Sequence, residues 1–278
     1  GGYSVTWIDS NVEVNVGFSN GSPFYNVDGS YYDYETNTNI FVNSILDYYL
    51  GAFTYSYSDT NELGYTDSGT VTKTASVNNG SVTGTEGTVY WGRFQSTRNQ
   101  TVPSVETISE YTHWVTGPAV TSMPTSGTFT FSHVGGTQPT DQNGNVGTLT
   151  SGGAWTINFG ARTINSAAPV AWTMPSGAAY SVNVITPVSL TANTGSTTGT
   201  SNFNGVAGTS TGTYTGFIGI GGSGPSYISC TGPCSAPAVE ISPQPIGATA
   251  SMLGVGIATS ASVSGVPEYT AQARVYKR

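Results

Sequence analysis

The sequence predicts an all-β protein: an antiparallel sheet arranged as a barrel or sandwich, preceded by a β-rich N-terminal extension. Three observations carry this prediction. Apolar residues recur with period two along most of the chain, the pattern of strands with one buried face. Helical periodicity occurs at most once, at Ile40, Phe41, Ile45, Leu46 and Tyr49, where a stretch free of Gly and Pro is expected to form one short amphipathic helix. From about residue 81 onward, Gly, Pro and Asn-Gly turn signals return at short intervals.

Near the start, Val12, Val14, Val16 and Phe18 alternate with Asn11, Glu13, Asn15 and Gly17. This gives a long one-sided strand, so residues 3–18 are expected to pair with a sheet, either the chain's own or a neighbouring copy's. Phe53, Tyr55 and Tyr57 repeat the alternation, and the Tyr-rich acidic extension is expected to span residues 1–80. The barrel domain follows over 81–278. In it Phe129, Phe131 and His133 share a face; Trp155, Ile157, Phe159 and Ala161 share another; Leu253, Val255 and Ile257 alternate with small residues; and a last strand runs Tyr269 to Lys277. Glycines in Gly216-Phe-Ile-Gly-Ile-Gly221 mark bends or close backbone approaches in a closed sheet, and closure removes sticky edges.

Charge is the unusual compositional feature. Only 8% of the 278 residues are Asp, Glu, Lys or Arg, against about a quarter in ordinary soluble domains. A surface held soluble by hydroxyls and amides offers little like-charge repulsion, which favours association. Nucleic acid is excluded as a partner, because seven scattered basic residues and a net charge of −8 provide no phosphate-binding stripe. Twelve of the fifteen acids lie in residues 1–110. The chain has no apolar run long enough for a transmembrane helix, and it opens Gly1-Gly2-Tyr3 without a charged-then-apolar leader, as expected of a secreted protein after signal-peptide removal.

Cys230 and Cys234, in Cys-Thr-Gly-Pro-Cys, are expected to form a local disulfide across a Gly-Pro turn, in keeping with secretion. They lack the His or further Cys that zinc requires. Catalytic motifs are chance products of a Gly/Ser/Thr-rich chain: Gly17-Phe-Ser-Asn-Gly21 and Gly208-Thr-Ser-Thr-Gly212 match a nucleophile elbow but do not lie between a buried strand and a helix. Gly219-Ile-Gly-Gly-Ser-Gly224 imitates a dinucleotide fingerprint with no helix after it. No catalytic residue is assigned, and no enzyme activity or cofactor is expected.

Weak metal candidates remain. His113 and His133, the two histidines, each share a strand face with apolar or aromatic neighbours, and a common barrel interior would bring them together as ligands of a metal or haem iron; hydrogen-bonded core histidines are the commoner outcome. Asp141, Asn143 and Asn145 present alternating oxygen side chains like the opening of a calcium loop, yet the downstream glutamate is missing and an Asn-Gly hairpin turn is the better reading. Asp28, Asp33 and Glu35 lack it too. Ten of seventeen tyrosines fall within residues 1–65, and among them Tyr31, Tyr32, Tyr34, Tyr55 and Tyr57 suit an interface with protein or glycan. The connector strand of such an interface would use Tyr3, Val5, Trp7, Val12, Val14, Val16 and Phe18. Asn20, Asn79 and Asn99 lie in Asn-x-Ser/Thr sequons.

Several segments occur in one order with compatible spacing: Thr88-Val-Tyr-Trp-Gly-Arg-Phe94, Tyr111-Thr-His-Trp-Val-Thr-Gly117, Met123-Pro-Thr-Ser-Gly-Thr-Phe-Thr-Phe131, Trp155-Thr-Ile-Asn-Phe-Gly160, the Cys230/Cys234 loop, Gly247 to Ile257, and the closing Ala273-Arg-Val-Tyr-Lys-Arg278. Over about residues 88–278 the chain resembles the C-terminal β-barrel domain of proteobacterial surface proteins that often carry a FecR-type domain, a barrel akin to that of transferrin-binding protein B. The resemblance implies an eight-stranded antiparallel barrel, surface display or secretion, and no catalytic residues. Residues 1–87 show no FecR-like region, which takes away the support for a signalling role.

The expectation is therefore a non-catalytic extracellular or cell-surface barrel that associates with copies of itself into a fibre, layer or matrix, its N-terminal strand acting as connector. The other expectation is a ligand-binding barrel that captures a host protein, haem or a small solute.

Overall fold

The computed structural model describes residues 50–60, 66–102, 106–118, 120–190 and 227–278, and elsewhere the backbones of short strands. In chain order those of the first part are β1 (Tyr3–Ser4), β2 (Glu13–Ser19), β3 (Ser22–Asp28), β4 (Tyr32–Asp33), β5 (Thr38–Asn39), β6 (Phe53–Thr60), β7 (Thr66–Lys73), β8 (Val77–Gly84), β9 (Gly87–Val102) and β10 (Glu106–Thr116). The second part holds β11 (Thr128–Gly136), β12 (Thr140–Asp141), β13 (Thr148–Asn158), β14 (Thr163–Thr173), β15 (Ala179–Val182), β16 (Val188–Ser189), β17 (Gly199–Phe203), β18 (Val206–Ser210) and β19 (Ile220–Ser223). It ends with β20 (Ile228–Thr231), β21 (Cys234–Ile246), β22 (Met252–Val263) and β23 (Val266–Lys277). The protein is almost entirely strand, as the period-two pattern predicts. The expected helix at 40–49 lies outside the described residues.

The barrel is a nearly closed antiparallel sheet of eight strands in the order β21-β22-β23-β11-β13-β14-β15-β20, with β19 beside β21. From β20 the chain turns through Thr231-Gly-Pro directly into β21, and the Cys230–Cys234 disulfide ties that turn. Pro243 and Pro245 lie in the part of β21 that pairs on one side only, with β22, where a missing N–H costs no ladder bond. Alternation sorts the residues: Phe131, Trp155, Ile157, Ile164, Leu253 and Val255 face a common interior in which each is 0% exposed. The expected run Trp155 to Ala161 ends early, because β13 stops at Asn158 and Ala161 falls in the following turn, exposed.

A second sheet, β10-β9-β7-β6, leans on the outside of this barrel. Sixteen-residue β9 pairs with β8 along its first half and β7 along its second, and the expected domain boundary at residues 80 and 81 falls within β8. Val89 and Trp91 of β9 pack with Ile246, Met252 and Val275 from the barrel's outer face in a separate apolar cluster. The Trp91 indole fills the space that side chains at Gly80 and Gly135 would take, so both positions must be glycine for the sheets to meet this closely. The turn between β8 and β9 is pinned to the barrel through Glu86, whose carboxylate accepts from the Thr249 backbone N–H (3.0 Å) and hydroxyl and from the Ser251 hydroxyl (2.7 Å).

Candidate functional site

Over Met252–Ile257 of β22 and Ala271–Tyr276 of β23 every residue is buried, between the barrel interior on one face and the second sheet on the other, and β23 assigns its residues unexpectedly. Val275 joins the outer cluster, whereas Tyr276 belongs to the barrel core. Parity therefore turns Glu268, Thr270, Gln272, Arg274 and Tyr276 inward and Tyr269, Ala271, Ala273 and Val275 outward. Their cross-strand neighbours on β22, Val255 beside Arg274 and Ile257 beside Gln272, are apolar core residues. A stripe of polar side chains thus runs down an otherwise hydrophobic barrel.

Part of the stripe is satisfied. The Tyr180 hydroxyl crosses from β15 and donates to Glu268 Oε1 at 2.7 Å, and the Thr259 and Thr270 hydroxyls bond each other at 2.7 Å. Burial, reinforced by the Glu268 carboxylate, holds the Tyr180 phenol well above its usual range. Tyr276, fully buried, donates to the Gly152 carbonyl at 2.9 Å.

The other part is not. Arg274 is 2% exposed, and its Nε donates to Gln272 Oε1 at 2.7 Å. Its Nη2, the Gln272 Nε2, the His133 Nε2 and the Trp172 Nε1 are all buried with no hydrogen-bond partner among the described residues. Burial pushes the Arg274 guanidinium down to about 10, so it stays charged at neutral pH. Among the described residues no carboxylate acts on it. The barrel wall is also split nearby: the β11–β13 ladder ends at Ser132 and Ala154, after which β11 pairs only with β23 and β13 only with β14. The His133 ring fills this seam, in the space a side chain at Gly152 would take, edge-on to Tyr276 at 5.6 Å between ring centroids. Burial first, then the Arg274 charge, hold His133 below its usual range and keep it neutral.

The two histidines are not brought together as a shared interior would require. His113 sits on β10 in the second sheet, with Nδ1 on the Thr137 hydroxyl (2.7 Å) and Nε2 on the Thr140 hydroxyl (2.6 Å). Both ring nitrogens are engaged, so His113 has no free lone pair to offer a metal, and it lies in a different sheet from His133. Asp141 is likewise occupied. Its Oδ1 accepts from the backbone N–H groups of Asn143 (2.9 Å) and Asn145 (2.8 Å), and its Oδ2 from the Asn145 amide (2.8 Å), with Gly144 at φ +82°. This is the Asn-Gly hairpin, its carboxylate spent on its own turn.

Of the expected connector, Tyr3 lies in β1 and pairs with Ser210 of β18; Val14, Val16 and Phe18 lie in β2, which forms a hairpin with β3 of the same chain. Val5, Trp7 and Val12 are outside the described residues, as are Tyr31 and Tyr34, while Tyr32 lies in β4 and Tyr55 and Tyr57 in β6. The first three residues of the first nucleophile-elbow match, Gly17 to Ser19, lie in β2, and its last two are outside the described residues. Four of the six residues of the dinucleotide-like motif form β19.

Sequence reasoning missed Gln272 and Arg274. The available signal was their period-two spacing with Glu268 and Thr270 opposite small apolar residues. A comparison with known protein families finds no match for the chain, and neither does a comparison with curated proteins.

Proposed function

We propose that this chain is a non-catalytic, extracellular or cell-surface β-barrel protein of bacterial origin that associates with its own copies through exposed strand edges into a fibre, layer or matrix. One observation carries the reading. β6, eight residues long, is an outer strand of the second sheet with a ladder partner only in β7 among the described residues, and its sequence Phe-Thr-Tyr-Ser-Tyr-Ser-Asp-Thr has none of the Lys, Pro or bulge devices that blunt an edge. Such an edge adds a strand from another molecule by main-chain pairing, with Tyr55 and Tyr57 supplying contact area. The low charge and the likeness to a surface-displayed barrel support the same reading, and the N-terminal strand remains a connector candidate beside β6.

The test compares the full chain with S56K/S58K, which places two lysines on the edge, and with a chain lacking residues 1–18, by light scattering and electron microscopy. Assembly predicts ordered particles from the full chain that shrink to single molecules in at least one of the two variants. A full chain that stays monomeric at high concentration overturns the proposal.

The second reading, a barrel that captures a host protein, haem or a small solute, is favoured by one specific observation, the buried N–H groups inside the barrel that find no partner among the described residues. Purified protein carrying colour, metal or a specific partner would support it.

A further inference from the structure

We infer that the polar end of the barrel interior binds a small carboxylate, held by the Arg274 guanidinium with the Gln272 amide beside it. The inference rests on the capture reading and narrows it to one ligand chemistry.

The charge must be answered. A guanidinium that is 2% exposed and still protonated at neutral pH is costly to bury unless an anion lies against it. Glu268, the acidic residue on the same face of β23, is six residues away, roughly 20 Å at ~3.3 Å per residue, and its Oε1 already accepts from Tyr180. Tyr276 supplies no negative charge, because burial raises its pKa and keeps the phenol neutral. His133, neutral in the seam, adds no competing cation.

The hydrogen bonds point the same way. Gln272 Oε1 accepts from Arg274 Nε, which fixes the orientation of the amide, and among the described residues neither its Nε2 nor Arg274 Nη2 finds a partner. The pair presents N–H groups alone. A ligand that complements it carries acceptors alone, and the planar fork of a guanidinium matches a carboxylate best. Water would satisfy the donors and leave the charge uncompensated. The ligand is small, because Trp155, Trp172, Tyr180 and Tyr276 fill the rest of the interior, each at most 1% exposed.

The test titrates the full-length protein with sodium acetate at constant ionic strength, reading the thermal unfolding midpoint and the intrinsic fluorescence of the interior tryptophans. Sodium chloride and sodium sulfate are run in parallel. A saturable rise with acetate, absent with chloride and sulfate and weakened at least tenfold in R274Q, is expected. Q272E is the second variant, independent of how well R274Q folds: it places a carboxylate beside Arg274 within the chain, so it should raise the midpoint of the free protein and abolish the acetate response. No saturable acetate response, a response to sulfate without one to acetate, or a Q272E protein that is destabilised and still titrates like wild type would each overturn the inference. Protein that carries haem or a partner yet ignores acetate supports capture and overturns this narrower claim.

Discussion

At the residue scale, His113 is a group whose ionisation the fold strongly opposes. It is completely buried on two threonine hydroxyls, and burial first, then the Arg93 and Arg274 charges, push its pKa down to about 3 from 6.5. Between these values the unfolded chain binds a proton that the native state refuses, so stability rises with pH across this window and is lost as pH falls through it. One such group gives a slope of ~1.4 kcal/mol per pH unit. His133 contributes with the same sign, since its pKa is also lowered, and Glu86 adds its own loss only below 4.5. Urea midpoints between pH 5 and 6.5 should therefore fall on acidification, and the slope should flatten in H113N by about one proton's worth; an unchanged slope would contradict the buried neutral imidazole. The sequence placed His113 correctly on a strand beside aromatic neighbours, but its threonine partners, Thr137 and Thr140, are more than twenty residues away and no spacing rule announces them.

At the scale of elements, closure of the barrel depends on its shortest members. β15 pairs over four residues with β20, and β20 reaches β21 only through the turn that the Cys230–Cys234 bond ties. The disulfide encloses a sequence separation of only 4, so loop-closure entropy gives it a modest ~2 kcal/mol. C230S/C234S should lose about that much in urea unfolding, and amide exchange should quicken first in Ala179–Val182 and Ile228–Thr231. Uniform exchange across all eight strands would deny this seam its role. Strands such as these were legible where one face is apolar and the other polar, as in Phe129, Phe131 and His133. β23 was legible as a strand, over Tyr269 to Lys277, but its inner face was not, because alternation reveals two faces without naming the inner one. There the small apolar set, Ala271, Ala273 and Val275, packs outward under the second sheet, and the polar set turns into the barrel. A rule that sends apolar residues inward reads this strand backwards, and so it overlooked Arg274.

At the scale of the whole molecule, the barrel and the second sheet share residues too closely to be independent. Met252 and Val275 face the second sheet while their neighbours Leu253 and Tyr276 face the barrel interior, so two strands serve two cores at once. Separating the sheets would expose Trp91 and Val89 on one side and Ile246, Met252 and Val275 on the other, and would release the three hydrogen bonds on Glu86. Burying a large apolar side chain contributes ~1.5–3 kcal/mol, so the five together oppose separation by an amount comparable with the stability of a whole domain. The two sheets are therefore expected to unfold as one cooperative unit despite a chain length at which domains often part. Tryptophan supplies the probe, since Trp91 and Trp114 lie in the second sheet and Trp155 and Trp172 in the barrel. Urea curves followed by fluorescence in W91F/W114F and in W155F/W172F, each compared with the circular dichroism of the same variant, should superimpose within it. A second-sheet signal that melts at lower urea than the strand signal would show that the outer cluster is weaker than its packing implies, and that the barrel stands alone.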